Sequence, residues 1–184
     1  MIRKFCTISI LIVLLLPSIT LAQEARLIIK TVTNTRDDLL LFLNVEGAFT
    51  EEMETAISNG VPASFTFFVT LNRVRSLWMD KTITDLELTH QVQYDTLKKE
   101  FIVVRSWDGA RQNVVKSLDE AKRLMTEIDS LRIAPLNQLE KGNHYQIMAK
   151  AELSKATLPF YLHYILFFVS LWDFETDWHT IDFI

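Results

Sequence analysis

The side chains best suited to chemistry are scattered along this chain, and their spacing argues against a built catalytic motif. The four histidines, His90, His144, His163 and His179, stand on separate segments with no HxH or HxxxH neighbour. A metal site would need its ligands brought together by folding alone, so no metal and no cofactor is expected. A nucleophilic serine of the hydrolase type sits in a GxSxG elbow, and the chain has none. Ser58 falls at the end of a helical stretch, Ser64 on a strand-like one, and Ser117 where a helix cap belongs. Asp37 and Asp38 fit a turn, and Glu51 and Glu52 fit a first helical turn, where the dipole favours anions. Gly109 and Gly142 are isolated, so no phosphate-cradling loop is encoded. No enzymatic activity is expected.

One constellation stands apart. Arg73 and Arg75 continue the alternating face of Phe65, Phe67, Val69 and Leu71, with Trp78 close behind. Two guanidinium groups should therefore emerge where a sheet leaves its core, with Trp107 expected nearby on the neighbouring strand. Planar guanidinium forks bind anionic groups or a partner's carboxylates in pairs of hydrogen bonds. The structural alternative is a pair of salt bridges to Asp80 or Asp85, with tryptophan stacked over them.

The elements that must position these residues are mostly strands. Runs at 25–33 and 38–46 are strand-like, joined by turn chemistry from Asn34 to Asp38. Thr50 can cap a short helix with Met53, Ala56 and Ile57 on its apolar face, stopped by Asn59-Gly60 and Pro62. Val61–Trp78 reads as one long β segment. Leu86, Leu88, His90, Val92 and Tyr94 then alternate with polar residues, the pattern of a half-buried antiparallel strand. A tight connection from Tyr94 to Lys99 leads into Phe101–Trp107, making 84–107 a hairpin. Asp108–Asn113 reads as a loop, and Ser117 with Glu120 as a capping box. The helix behind it carries Leu118, Ala121, Leu124, Met125 and Ile128 on one stripe. A weaker strand is expected at 131–138 and a clear one at 144–153. About seven strands with two or three packed helices predict an α+β fold, a mostly antiparallel β-sheet or sandwich.

Export is the other strong signal. Arg3 and Lys4 precede an apolar run from Phe5 to Leu16, then Pro17, and Thr20-Leu21-Ala22 offers small residues for cleavage. Residues 1–22 therefore read as a signal peptide cut after Ala22, and 23–184 as one β-rich periplasmic domain. The run is shorter than the roughly 20 apolar residues of a membrane span. Cys6, the only cysteine, lies inside it, so the mature chain has no thiol and no disulfide. Arg3 and Lys4 are also its only charges, so the 19 basic and 23 acidic side chains of the chain become 17 and 23 after cleavage. Such an acidic surface makes nucleic acid a poor partner, because its binding rests on phosphate neutralisation. An inner-membrane or other envelope protein fits better. The most apolar mature stretch, 158–172 (LPFYLHYILFFVSLW), is read as a buried helix, with a membrane-surface or partner-facing element as the alternative and a true span, for which it is short, ranked last.

Taken in order, several short stretches resemble the DUF4390 family of exported proteobacterial proteins. They are Leu41–Phe49 (LFLNVEGAF), Ala56–Pro62 (AISNGVP) leading into a Phe-rich strand, Arg73–Trp78 (RVRSLW) and the Tyr94–Leu97 turn (YDTL). Leu158-Pro159 and a closing Trp172…Trp178 pair complete the series. The resemblance implies an exported domain without an assigned activity, and a gene neighbourhood near membrane sensor kinases implies a link to signalling. The expected role is thus a non-enzymatic interaction or sensory accessory domain. Binding of a small, lipid-like apolar ligand is the alternative, and an unrecognised hydrolase ranks below both.

Overall fold

Apolar and polar residues alternate along most of the chain, and a strand turns that alternation into one buried and one wet face. The computed structural model describes residues 25–154 and 175–184. Residues 1–22, where a signal peptide is expected, and the apolar run 158–172 lie outside the described residues. Within them the order is β1 (Arg26–Asn34), β2 (Asp38–Glu46), α1 (Glu51–Ser58), β3 (Ala63–Arg73), β4 (Lys81–Asp95), β5 (Glu100–Arg105), β6 (Gln112–Val115), α2 (Leu118–Thr126), β7 (Glu127–Pro135), β8 (Tyr145–Ser154) and β9 (His179–Phe183). Short 3-10 turns occupy Ser106–Asp108 and Leu136–Gln138.

The strands form a three-stranded sheet, β1-β2-β7, and a six-stranded sheet, β6-β5-β4-β3-β8-β9. Every pairing is antiparallel. The inner faces of both sheets feed one core: Leu41, Leu43 and Ile128 from the small sheet meet Phe65, Phe67, Val103 and Ile147 from the large one. The predicted α+β class with a mostly antiparallel sheet is therefore the observed one. Its centre is β3, paired on both sides, whose Phe65, Phe67 and Leu71 are 0 % exposed.

The two helices obey local rules to different degrees. Thr50 Oγ1 accepts from the Met53 N–H at 3.3 Å, and Glu51, Glu52 and Glu54 fill the first turn of α1. Gly60, at φ +92°, then reverses the chain, its N–H bonding Ile57 O while Val61 N–H bonds Ala56 O. At α2 the capping box does not form, since the Ser117 hydroxyl makes no cap bond; the backbone bond from Ala121 N–H to Ser117 O opens the helix instead. Lys122 crosses to Glu54 at 2.7 Å and ties the two helices together.

Several boundaries differ from the sequence reading, each for a reason. α2 stops at Thr126, so Ile128 is a strand residue and β7 covers Glu127–Pro135 rather than 131–138. Ser130 takes φ +57°, and the register against β2 slips between Leu41 and Leu43 and again between Leu39 and Leu40. These bulges let Ile128 and Leu131, and likewise the consecutive Ile133 and Ala134, all face inward. Period-2 alternation is lost there, which hid the strand. β6 begins within the expected loop 108–113, and β9 lies in a stretch with no expected strand; both are short edge strands completed by pairing to β5 and β8. β5 ends at Arg105, and Trp107 belongs to the following 3-10 turn.

Phe67→Ala should open a void in the centre of β3 and cost about 3–5 kcal/mol. The expected readout is a lower urea midpoint with an unchanged slope, which separates lost packing from a changed unfolded state.

A candidate binding cleft at one end of the sandwich

Strand pairing stops where Arg73 leaves the sheet, opposite Lys81 on β4 and Tyr145 on β8. The Arg73 guanidinium is held there, Nη1 at 3.0 Å from Glu140 Oε1 and Nη2 donating to Asn143 Oδ1 at 3.0 Å. Asn143 Nδ2 donates to Glu140 Oε2 at 3.1 Å. The Tyr145 hydroxyl accepts from the Glu140 N–H at 2.7 Å, and its ring stacks on Phe183 with centroids 5.6 Å apart. Glu140 is thus cradled by three neighbours, yet its side chain stays 68 % exposed, against 27 % for Arg73.

Beside this cluster lies an open cleft of about 290 Å³, walled by Leu39, Leu136, Leu139, Tyr145 and Phe183, with Asn34, Glu140 and Lys141 at its polar margin. Its walls come from both sheets and from the turn after β7. Apolar walls with a few convergent polar groups are what a binding site requires.

The sequence constellation does not stay together. Arg73 pairs with Glu140, a residue of the cleft margin, and not with Asp80 or Asp85. Asp85 accepts from the Thr70 hydroxyl at 3.1 Å, and Asp80 Oδ1 accepts from the Arg75 backbone N–H at 3.0 Å. Arg75 lies past the end of β3, so it no longer continues the strand face. Trp78 stands 80 % exposed in the β3–β4 loop. Trp107 is elsewhere: it packs on His90, which sits opposite Phe65, and the strand from Phe65 to Arg73 spans about 26 Å. A neighbouring strand brings residues close only at matching register, and the register here opposes Arg73 to Lys81.

At its own location Trp107 closes a buried relay. Its indole N–H donates to His90 Nε2 at 2.8 Å, and His90 Nδ1 lies 2.9 Å from the Met125 carbonyl. With Nε2 accepting, Nδ1 carries the proton and donates to Met125, so the ring is neutral. His90 is 0 % exposed and packs on Phe67, centroids 4.8 Å apart. Burial pulls its pKa down from 6.5 to about 4; the Arg105 charge pushes the same way, while the carbonyls of Met125 and Leu124 oppose it. Arg105 itself lies over the Trp107 ring, 4.9 Å from the centroid, and pairs with Asp108 at 2.8 Å. Both imidazole nitrogens are consumed by structure. Among the described residues no group of three or more His, Cys, Asp or Glu side chains could hold a metal.

A family model described as DUF4390, a domain of unknown function, matches residues 22–182. The chain belongs to the DUF4390 family. No curated protein and no solved structure matches it. In this DUF4390 domain the stretches that carry the resemblance fall where strands and helices end. Gly47 follows β2 at φ +70°, Asn59–Pro62 links α1 to β3, Arg73–Trp78 leaves β3, and the Tyr94–Leu97 turn leaves β4. Trp178 lies before β9 with its ring 5.3 Å from Lys150 Nζ; Leu158, Pro159 and Trp172 are outside the described residues. Sequence reading of this DUF4390 chain missed the cleft itself. Leu136 and Leu139 sit in a turn without periodicity, and Phe183 in an acidic tail, so only tertiary contact joins them.

His90 should make stability depend on acid. The unfolded chain takes its proton near pH 6.5 and the folded chain only near pH 4. Between these the unfolded state binds more protons, so the contribution is complete above pH 6.5 and is lost as pH falls toward 4, about 3 kcal/mol in all. Urea unfolding of His90→Leu against the parent, from pH 7.5 to 4, should show a flatter profile. The variant should also be about 2–4 kcal/mol weaker at neutral pH, from the unpaired Met125 carbonyl and Trp107 N–H.

Proposed function

We propose that this DUF4390 domain is an exported, non-enzymatic interaction module of the cell envelope that grips a protein partner at the cleft end. The observation that carries this reading is the apolar cleft beside the Arg73–Glu140 pair. A partner's apolar side chains fit the cleft, and a partner's carboxylate can replace the exposed Glu140 on Arg73. That exchange costs little, because a half-exposed ion pair contributes only about 0–1 kcal/mol. Chemistry-bearing groups elsewhere have structural duties: His90 caps α2, Thr50 caps α1, and Asp95 accepts from the N–H groups of Leu97 and Lys98 in its turn. Periplasmic action after removal of Met1–Ala22 rests on the charge, apolar run and small residues of that leader.

A small apolar ligand is the second reading, favoured by the same walls. The volume decides between them. Small-molecule sites run from about 300 to 1,000 Å³ and enclose most of the ligand. At about 290 Å³ and open on one side, the cleft suits one or two side chains better than a whole lipid-like molecule.

The test is photo-crosslinking in cells from a probe at Lys141 on the cleft margin, with an equivalent probe at Leu97 on the far turn. One envelope protein should be captured from position 141 and not from 97. Leu139→Arg and Arg73→Glu should each cut its yield about tenfold, while thermal midpoints stay near the parent's. Equal capture from both positions, or capture indifferent to both substitutions, would sink the proposal. Native mass spectrometry showing a bound apolar molecule that Leu139→Arg removes would favour the ligand instead.

A further inference from the structure

The loop between β3 and β4, Val74–Asp80, carries three consecutive large apolar side chains into solvent. Leu77 is 91 %, Trp78 80 % and Met79 90 % exposed. Single exposed apolar residues are ordinary, but a run of three at one tip is not. The tip is also held out. Asp80 Oδ1 accepts from the Arg75 N–H at 3.0 Å and closes the loop base, Val74 N–H bonds His144 O at 2.9 Å, and Arg73 pairs with Lys81 in register. A short loop pinned in this way has no slack to lay its tip back over the sheet.

Charge around the tip differs from that of the chain. The whole sequence carries a formal −4. Arg75 and Lys81 flank the tip, and Lys141 lies on the adjoining turn, where His144 O receives the Val74 N–H. Asp80 is engaged at the loop base, and Glu140 is engaged by Arg73. With Arg73 and Glu140 cancelling each other, Arg75, Lys81 and Lys141 outweigh the one carboxylate of Asp80, so the charge beside the tip is net positive.

We propose that Val74–Asp80 is a membrane-anchoring finger: Leu77, Trp78 and Met79 enter the interfacial zone of a bilayer while Arg75 and Lys81 meet the phosphates of anionic headgroups. Tryptophan, with an apolar body and one polar N–H, favours that zone. Basic residues beside it gain from an anionic surface, within a Debye length. Three side chains on a narrow tip offer far less than the roughly 800 Å² that each side of a stable protein interface buries. The acidic remainder of the molecule is repelled by the same headgroups, so contact is confined to this end and the cleft margin is carried toward the membrane surface. This inference does not depend on the cleft having a protein partner.

The test uses the protein purified from the cell envelope, carrying Met79→Cys (with Cys6→Ser) labelled with a polarity-sensitive fluorophore. On vesicles of phosphatidylethanolamine and phosphatidylglycerol the emission should shift to the blue and escape iodide quenching. The same label at Leu97→Cys, 93 % exposed beyond the opposite end of the 15-residue β4, should stay in water. Leu77→Ser with Trp78→Ala should lower the vesicle-bound fraction about tenfold with an unchanged thermal midpoint, and phosphatidylcholine alone should bind less. The proposal is overturned if vesicle-bound protein keeps position 79 open to iodide, if both positions shift alike, or if nothing binds. A blue shift that appears without lipid as protein concentration rises also overturns it, and assigns the tip to a second copy of the chain.

Discussion

A neutral, fully buried imidazole joins three parts of this chain that lie far apart in sequence. His90 comes from the middle of β4, Trp107 from the turn after β5, and the Met125 carbonyl from the last turn of α2. The final carbonyls of a helix have no partner within it. His90 supplies one for Met125, and Thr126 turns its own hydroxyl back to Lys122 O at 3.1 Å. The chain then passes straight into β7, which pairs with β2 in the smaller sheet. The relay thus stands where the backbone crosses from the large sheet to the small one, beside the core the two sheets share. Leaving either hydrogen bond unmade would strand a polar group in a dry interior, so the arrangement is stringent as well as stabilising.

Packing is closed along the middle of the sandwich and opens at the end where β3, β8 and β9 give out. There Tyr145 stacked on Phe183 at the last paired positions, with Leu39, Leu136 and Leu139, lines an open apolar cleft. Arg73, Glu140 and Asn143 bond to one another at that margin, with Glu140 left largely open to water. Such pairs add little stability, but they hold polar groups in place at low cost and release them at low cost. The β3–β4 loop rises from the same end. Recognition chemistry therefore gathers where the regular hydrogen bonding of the sheets runs out.

The features most legible in sequence were those with undisturbed period. β2, β8 and the Leu86–Tyr94 part of β4 keep alternation and β3 departs from it only locally, while α1 has its cap, acidic first turn and glycine stop. Arg73 was found because it continues such a face. Illegible parts fail that condition. Ser130 at φ +57° and the slipped register of β7 put adjacent residues on one side, so their pattern resembles no regular element. β6 and β9 are short, and each becomes a strand only because β5 or β8 offers it an open edge. Trp107 is expected beside Arg73 because the sequence places it on the neighbouring strand, whereas register decides proximity.

What the amino acids alone determined is class and polarity: an antiparallel, two-faced β architecture, the positions of most turns, and membership of the DUF4390 family. These follow from side-chain period and backbone preference, which act over a few residues. The tertiary structure decided that His90 would be neutral and structural, that Arg73 would pair with Glu140, and that Leu39, Leu139 and Phe183 would share a cleft. Each depends on which strand lies beside which and in what register. That is the summed outcome of burying one core, and no local stretch of the chain carries it.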